Sequence, residues 1–394
     1  MIEEAMAQAR TDHASVVALT RELVRIPSRG GIDDYGPVLE AMATWLKETG
    51  LEPGVLDDGA GAPVALVCEI HGHRPGKRVV LDACLDTAGF GDVEAWIRPP
   101  LSGEIGGGWL HGRGAADSKS GAAVFAHIAA TLNRTRDFAG RLVLLFDVDE
   151  HTGGFGGARA YFGRTDNADV AGVMIGYPGI DHLVVGGRGV WRARVRVRAM
   201  AAHSGGSAVA PSAIVKAAQL VEGLHAIDID APPADGFPKP PRITVTGIEG
   251  GDSWSVVPDV CTVNVDVRTT PSADAAWAEK TVAAAVADVD RAWPTTPPSS
   301  MEPVLSWPAF ALEPTHPLAG ALLGGAAGAG LRVEPKVAGP SNIGNYLAGL
   351  GIAATAGFGA DYVGLHGVDE RVRVESLVPV QAAYHAAVLD LLTG

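Results

Sequence analysis

The chain has 394 residues, of which 47% are apolar and 19% are charged, a composition that excludes a wholly disordered protein and predicts large hydrophobic cores. Its 31 lysine and arginine residues stand against 45 aspartate and glutamate residues, so the net charge is −14. Phosphate backbones and anionic membrane surfaces would repel such a chain, and we expect neither a nucleic-acid nor a membrane partner. The length suggests more than one domain.

Two further features indicate the cellular compartment. No uninterrupted apolar run approaches the roughly 20 residues that span a bilayer, and residues 1–13 lack the apolar region of a secretory signal. The three cysteines, Cys68, Cys84 and Cys261, are an odd number and too few for a disulfide framework. We therefore expect a cytoplasmic protein.

The first half of the chain alternates helices with strands that are apolar on both faces. Apolar residues at helical spacing predict helices over 14–26, 37–49 and 121–132, and continuous apolar runs predict strands over 63–70, 78–86, 141–148 and 170–176. This alternation indicates an α/β layer with a mostly parallel sheet. In such sheets, ligands bind beyond the carboxyl ends of the strands.

The pattern changes near residue 185. Residues 190–199 alternate between apolar side chains and arginines, which predicts a half-exposed antiparallel strand. We interpret its arginine row as a solvated face, with a binding site as the alternative. Further elements complete a β-α-β-β-α unit: a helix over 211–226, strands over 242–248 and 260–268, and a helix over 273–290.

The end of the chain returns to the first pattern. The proline-rich segment 293–303 is interpreted as a return linker, and residues 304–394 resume α/β patterning and end in a helix over 376–392. We therefore predict an α/β catalytic domain formed by residues 1–184 and 300–394. It carries an inserted, smaller α+β lid or dimerisation domain over residues 185–299.

Three polar clusters contain the residue types that bind metals. The first combines Cys84 and Asp86 with residues 112–119, the second is residues 149–153, and the third is residues 366–370. Aspartate, glutamate, histidine and cysteine are ligands for a zinc-class metal, and a carboxylate beside a ligand can act as a general base.

Together these clusters resemble the M20 family of metallopeptidases, which includes carboxypeptidases, aminoacylases, acetylornithine deacetylases and succinyl-diaminopimelate desuccinylases. The resemblance covers nearly the whole chain, and GRGAADSKSG is its most specific segment. The segments that carry it are GRGAADSKSG (112–121), DEHTGGFGG (149–157), AAHSGG (201–206), GIEGGDSWSVVPD (247–259), VDVR (265–268) and LHGVDE (365–370).

The resemblance implies roles for the residues that match. Asp117 matches the aspartate that bridges two metals in the family, and His366 matches the last histidine ligand. Glu150 matches the general base that acts on metal-bound water, and Asp86 matches the aspartate that orients the site.

Four further residues match positions that contact the substrate. His203 resembles the histidine that reaches across a dimer to stabilise the oxyanion, and Arg268 resembles the arginine that holds a substrate carboxylate. Asn342 and Asn345 lie where the family contacts substrate. A homodimer through the inserted domain is therefore implied.

The sequence departs from the family pattern at three ligand positions. Cys84 replaces the histidine of the His-x-Asp motif, His151 replaces the second glutamate of a Glu-Glu pair, and Tyr177 replaces an acid. Cys84 and Tyr177 belong to one metal subsite, which we expect to be weakened or lost. The other subsite keeps Asp117, His151 and His366. Cys84 stays a doubtful ligand, and Tyr177 is assigned to substrate binding.

We predict a metal-dependent amide hydrolase that acts on an N-acyl amino acid or a small peptide with a free carboxylate. Zinc or another divalent transition metal, one ion per chain, would bind at Asp117, His151 and His366. Two metals, with Cys84 as a thiolate ligand, are one alternative. A metal-free relative is another, either a small-ligand binder or an enzyme with non-hydrolytic acid–base chemistry on a specialised metabolite. Cys84 as a nucleophile is a further alternative.

Overall fold

The structure, a computed structural model, describes residues 1–207, 210–229, 231–232, 234, 236–313 and 315–393. Its helices are α1 Ile2–Val24, α2 Gly36–Glu48, α3 Ser120–Thr135, α4 Gly156–Phe162, α5 Ala213–His225, α6 Ala275–Ala292, α7 Pro317–Gly328, α8 Ile343–Gly349 and α9 Leu377–Thr393. Its strands are β1 Gly54–Asp57, β2 Pro63–His71, β3 Arg74–Cys84, β4 Ile105–Gly106, β5 Trp109–His111, β6 Ala139–Asp147, β7 Val170–Ile175, β8 His182–Gly187, β9 Gly189–Arg198, β10 Ala202–His203, β11 Arg242–Gly250, β12 Val256–Val257, β13 Val260–Thr269, β14 Ser300–Trp307, β15 Phe310–Ala311, β16 Glu334–Ala338, β17 Ala354–Ala356, β18 Tyr362–Val363 and β19 Arg371–Arg373.

The chain divides into two compact units. The first comprises Met1–Gly186, Leu312–Lys336 and Asn342–Gly394, and the second comprises Gly187–Ala311 and Val337–Ser341. No helix among the described residues is long and apolar enough to cross a membrane. The three cysteines are free and buried.

The first unit is built on a six-stranded sheet of order β1-β2-β6-β3-β7-β17. Strands β6, β3, β7 and β17 are parallel, whereas β2 pairs antiparallel with β6 and β1 pairs antiparallel with β2. The C-terminal halves of β3 and β6 are fully buried, because helices α3 and α9 pack against both strands. The predicted α/β class with a mostly parallel sheet is confirmed.

Helix α1 begins about a dozen residues before the predicted start at residue 14. Its first turns carry acidic and small residues instead of a strong apolar pattern. They are held by close packing of Ala5 and Ala9 against Ala382 of α9. This small-residue contact leaves little trace in hydrophobic periodicity.

The second unit contains a four-stranded antiparallel sheet of order β11-β13-β9-β14. The apolar residues of β9, including Trp191 and Val195, join a core with α5 and α6, and its arginines alternate on the other face. Residues 300–307, predicted to lie outside this domain, form its edge strand β14 instead. The division therefore falls near residue 311 rather than 299, and Val337–Ser341 also belongs to the second unit.

A buried ion pair fastens the segment that leads into β14. Lys216 of α5 is 0% exposed, and its Nζ lies 2.6 Å from Oδ1 of Asp290 on α6. Asp290 also accepts hydrogen bonds from the amide and hydroxyl of Ser299 at 2.8 Å. Burial alone would raise the pKa of Asp290, but the bonds from Lys216 and Ser299 lower it.

Asp290→Asn is expected to lower the free energy of unfolding of the second unit by about 3 kcal/mol, because the Lys216 ammonium stays buried without its carboxylate. The matched control is Asp288→Asn on the same helix, whose ion pair with Arg291 is exposed and should contribute less than about 1 kcal/mol. Urea denaturation, with hydrogen exchange of the α5 and α6 amides, measures both losses. Equal losses in the two variants would contradict the assignment.

Candidate metal centre

The candidate site lies where three neighbouring strands of the main sheet end. Strand β3 ends at Cys84, β6 at Asp147 and β7 at Ile175. Because these strands are parallel, the segments that follow them meet at one edge of the sheet. This places Asp86, Glu150, His151 and Tyr177 close together, as the contacts below show.

The segment 112–121 crosses this edge and is fixed at several points. Gly114 has φ 82°, and a Cβ there would lie 2.5 Å from Cγ2 of Thr87, so only glycine fits. Lys119 is buried, and its Nζ donates to the carbonyls of Leu23 and Ile26, at 2.8 and 2.9 Å, where α1 ends. Burial lowers the pKa of Lys119 to about 7.

A buried ion pair also fixes this segment from the C-terminal part of the chain. The guanidinium of Arg113 pairs with Glu370, and both side chains are almost completely buried. The other oxygen of Glu370 accepts hydrogen bonds from the amides of Ala116, at 3.0 Å, and Asp117, at 3.3 Å. Glu370 is therefore a positioning residue for Asp117, a role that sequence reasoning missed although Glu370 lies in a quoted segment.

Asp117 lies between two histidines. Its Oδ2 is 2.8 Å from Nε2 of His366 and 3.5 Å from Nε2 of His151, and its Oδ1 accepts a hydrogen bond from Ser118. Burial by itself would raise the pKa of Asp117, but the two histidines lower it well below its usual range. One donor atom from each of the three residues lies within 4.8 Å of the others, so they could hold a metal ion.

Asp86 holds the segment that carries His151. Its two oxygens accept hydrogen bonds from the backbone amides of Glu150, at 3.2 Å, and His151, at 3.0 Å. It is completely buried, in keeping with the predicted orienting role. Asp86 therefore fixes the relative positions of the candidate base and the candidate ligand.

The surroundings of His151 test whether a metal fits. Its side chain is 4% exposed, and neither ring nitrogen makes a hydrogen bond of good geometry among the described residues. Yet Nδ1 lies 3.3 Å from Asp86 and 3.4 Å from Glu150, and Nε2 lies 3.5 Å from Asp117. Burial would lower the pKa of His151, but the carboxylates of Asp117 and Asp86 raise it well above its usual range.

These residues therefore fit a divalent cation. A buried imidazole with two unsatisfied nitrogens, surrounded by carboxylates, needs a proton or a metal to balance the charge. One aspartate and two histidines are a donor set that suits zinc.

Glu150 is bound by Tyr177. The Tyr177 hydroxyl donates to Oε1 of Glu150 at 2.6 Å, so Tyr177 is engaged with the candidate base. Burial raises the pKa of Glu150 to about 7, although His151 opposes the shift. Burial also raises the pKa of Tyr177, which keeps its hydroxyl protonated and able to donate.

Cys84 belongs to a second group of donors, with Glu150 and His151. Its Sγ lies 3.6 Å from the hydroxyl of Ser118, and burial raises the pKa of the thiol well above its usual value. Burial therefore disfavours the thiolate, which is the form that ligates a metal or attacks a substrate, and a metal at Cys84 would have to displace the thiol proton.

Two acids that sequence reasoning missed lie within the strands beneath this edge. Asp82 on β3 and Asp147 on β6 are completely buried, and their carboxyl oxygens have no hydrogen-bond partner among the described residues. Burial raises the pKa of each, and the charge of Glu150 adds to both shifts. The sequence feature that could have revealed these two residues is an acid inside a continuous apolar run.

The structure also describes the surroundings of four residues that are predicted to contact the substrate. The side-chain oxygens of Asn342 and Asn345 form a capping box at the start of α8, with bonds of 2.8 Å, so both asparagines have a structural role. His203, on the exposed strand β10, and Arg268, on β13, belong to the second unit. Substrate contact by these residues stays a prediction.

The chain matches the model of the family described as "Peptidase family M20/M25/M40" over residues 81–390, and it belongs to that family. The predicted class, an M20-like hydrolase of linear amide or peptide bonds, is thereby confirmed.

Several relatives are similar along their whole length. A succinyl-diaminopimelate desuccinylase of Cereibacter sphaeroides is 28% identical over 390 residues, which cover 96% of this chain and 99% of the relative. A second desuccinylase, from Stenotrophomonas maltophilia, is 28% identical in an alignment 408 residues long, gaps included. The alignment covers 96% of this chain and 100% of the relative.

Solved structures share the fold. An M20 family metallo-carboxypeptidase from Sulfolobus solfataricus aligns with a TM-score of 0.79 at 16% identity, covering 95% of this chain and 99% of that one. The di-peptidase Dug1p from Saccharomyces cerevisiae aligns with a TM-score of 0.76 at 16% identity, covering 99% of this chain and 98% of that one.

The buried acid Asp82 gives a prediction on stability. The pKa of Asp82 is raised in the folded chain. Above about pH 4 the group is therefore ionised in the unfolded chain but stays protonated in the folded chain, and the free energy of unfolding falls as pH rises. Asp82→Asn removes this dependence. The free energy of unfolding of the variant, relative to that of the unsubstituted chain, should rise by up to about 1.4 kcal/mol per pH unit between about pH 4 and 7.

Urea denaturation at several pH values measures this difference. The matched control is Asp137→Asn, at an exposed acid of the same unit, which should leave the pH dependence of stability unchanged. A constant difference between Asp82→Asn and the unsubstituted chain from pH 4 to 7 would show that Asp82 is ionised in the folded state.

Proposed function

We propose that this chain is a metal-dependent amide hydrolase with one metal ion, held by Asp117, His151 and His366. Its substrate is an N-acyl amino acid or small peptide with a free carboxylate. The observation that carries the proposal is the convergence of these three donors beside the carboxyl of Glu150, whose side chain is 13% exposed.

Three protein donors would leave one coordination position of the ion open. Zinc or a similar divalent ion, when bound there, would lower the pKa of a water and polarise the scissile carbonyl. Three protein ligands are typical of a catalytic site, which keeps one position open. His366 is 56% exposed at its side chain, so the site is accessible from solvent.

Glu150 is suited to move a proton. Its pKa near neutrality lets it accept a proton from water and return it to the leaving nitrogen. The Tyr177 hydroxyl holds Oε1, so Oε2 is the oxygen left for the transfer, and Asp86 fixes the backbone that carries the group. Glu150 is thus the catalytic base and Asp86 a positioning residue.

A second ion has poor ligands. The Tyr177 hydroxyl donates its hydrogen to Glu150, and the buried Cys84 thiol lies beside the hydroxyl of Ser118. Tyr177 carries no negative charge while it donates to Glu150, and Cys84 would have to lose its proton before it could ligate a second ion. These contacts favour one ion per chain.

The substrate proposal rests on the relatives and on the second unit. The full-length relatives are named as desuccinylases, so an N-succinyl amino acid is the first class of substrate to test. Arg268 would bind the substrate carboxylate, and Asn342, Asn345 and Tyr177 would contact the substrate. His203 would stabilise the oxyanion.

The role of His203 would require a homodimer through the second unit. Strand β11 is an edge strand. The two-stranded sheet of β10 and β12 carries His203, and the fully exposed Trp254 lies two residues before β12. Other exposed apolar side chains of this unit include Met200, Ile214, Val215, Ile248 and Val256. Such surfaces are typical of interfaces between copies of a chain.

Metal content tests the proposed centre. The chain, purified without chelators or a metal-affinity tag, should contain one zinc-class ion per chain by plasma mass spectrometry. His366→Gln should lose the ion on desalting, whereas Cys84→Ser and the exposed control His71→Gln should retain it. Two ions per chain would restore Cys84 as a ligand. None after metal resupply would contradict the proposal and favour metal-free chemistry or ligand binding.

Substitution of the base tests the mechanism. Glu150→Ala should lower kcat on N-acyl amino acids by about 10²–10⁴-fold, because a positioned base contributes that range. Metal content and thermal midpoint should stay near those of the unsubstituted chain. The control Glu52→Ala, at an exposed acid, should keep full activity. Turnover that survives in Glu150→Ala would contradict the mechanism.

A further inference from the structure

The second unit contains an open groove on the arginine-bearing side of its sheet. Its volume is about 500 Å³, and Arg188, Arg192, Lys239, Arg242 and Arg268 line it together with Asp266. We call it the basic groove. All of these residues belong to the second unit, so the groove is complete within that unit.

The charge of the basic groove is opposite to that of the chain. Five cationic side chains and one carboxylate line it, in a protein whose net charge is −14. Such a concentration of like charge raises the local concentration of anions. It also costs stability unless an anion neutralises it.

The pairing of the strands shows which like charges lower the stability of the second unit. Arg242 on β11 lies directly opposite Arg268 on β13, and like charges in this position are destabilising. Asp266 binds Arg268, at 2.8 Å, and Arg192, at 2.8 Å. Among the described residues, neither Arg242 nor Lys239 forms an ion pair.

Two of the arginines are held in place by other contacts. Arg188 donates to the carbonyls of Gly339, at 2.9 Å, and Pro240, at 2.7 Å, and Arg268 donates to the hydroxyl of Ser341 at 3.1 Å. Burial lowers the pKa of Arg188, and the charges of Arg268 and Arg242 lower it further. The guanidinium groups are therefore preorganised and close enough to repel one another.

A glycine lets two cations converge. A Cβ at Gly339 would lie 3.2 Å from Nζ of Lys239 and 3.6 Å from Nη2 of Arg188. The two cations therefore approach the same small volume beside the main chain. With Arg242 and Arg268 they form one cationic cluster, whose charge the single carboxylate of the groove does not balance.

We propose that the basic groove binds a ligand with at least two anionic oxygen groups, which Arg268, Arg188, Lys239 and Arg242 hold between them. The proposal rests on the proposed function in one point, because Arg268 is there the residue that holds the substrate carboxylate. It goes beyond that function by assigning the second anionic group of such a ligand, which an N-succinyl amino acid would carry, to Arg188, Lys239 and Arg242. Carboxylates and phosphates share this chemistry.

Calorimetric titration of the full chain at low ionic strength tests the proposal without any turnover. The probes are glutarate, pentanoate and pyrophosphate. Glutarate and pentanoate have five carbons each but differ by one carboxylate. We expect glutarate to bind at least about tenfold more tightly than pentanoate, because a charge-assisted hydrogen bond is worth that ratio. Tighter binding of pyrophosphate, sensitive to the same residues, would assign the site to phosphates.

Variants locate the binding. Arg242→Gln and Lys239→Gln should each weaken glutarate binding about tenfold. The matched control Arg194→Gln removes an arginine from the same row of β9 outside the groove and should change affinity less than about twofold. Equal affinities for glutarate and pentanoate, or unchanged glutarate affinity in both groove variants, would overturn the proposal.

A stability measurement separates binding from folding. Because Arg242 opposes Arg268, Arg242→Gln should keep or raise the thermal midpoint while abolishing the rise that glutarate produces in the unsubstituted chain. A structural role for Arg242 predicts the opposite, a lowered midpoint. The exposed Lys239→Gln supplies the same test if Arg242→Gln fails to fold. Loss of hydrolase activity would not affect either readout.

Discussion

The structure of the site depends on how negative charge is balanced at the buried edge of the sheet. Asp86, Asp117 and Glu150 all lie within 3.5 Å of the His151 ring, and little solvent reaches them. In such surroundings a carboxylate is stable only beside a positive charge or a donated hydrogen bond. A proton on His151 balances part of the negative charge. A divalent cation between His151, Asp117 and His366 would balance more of it.

The loops around the edge hold these charges in a fixed arrangement. The segment 112–121 is fastened to the end of α1 through Lys119 and to the C-terminal part of the chain through Arg113 and Glu370. Asp86 fastens the segment after β6 in the same way, through backbone amides. The donors are thus placed before any ion binds, which lowers the entropic cost of binding. The Tyr177 hydroxyl then sets which oxygen of Glu150 is available.

Sequence reasoning recovers the elements whose apolar pattern is strong and misses those that depend on tertiary contacts. Strands β2, β3, β6 and β7 match their predicted ranges closely. The donor atoms of Asp117, His151 and His366 lie within 4.8 Å of one another, and their binding of a metal stays a prediction. The first residues of strand β14 fall in the proline-rich segment 293–303, which is interpreted as a linker, and only pairing with β9 makes residues 300–307 a strand. The capping role of Asn342 depends on the helix that follows it. Asp82 was hidden because a single acid in an apolar run does not change the assignment of a strand.

The central claim is that Asp117, His151 and His366 hold the metal and Cys84 does not. X-ray absorption of the zinc-loaded protein tests this claim directly, because it reports the ligand atoms. The account predicts a shell of nitrogen and oxygen at about 2.0–2.1 Å with no sulfur. A sulfur shell at about 2.3 Å would contradict it and would make the Cys84 thiolate a ligand.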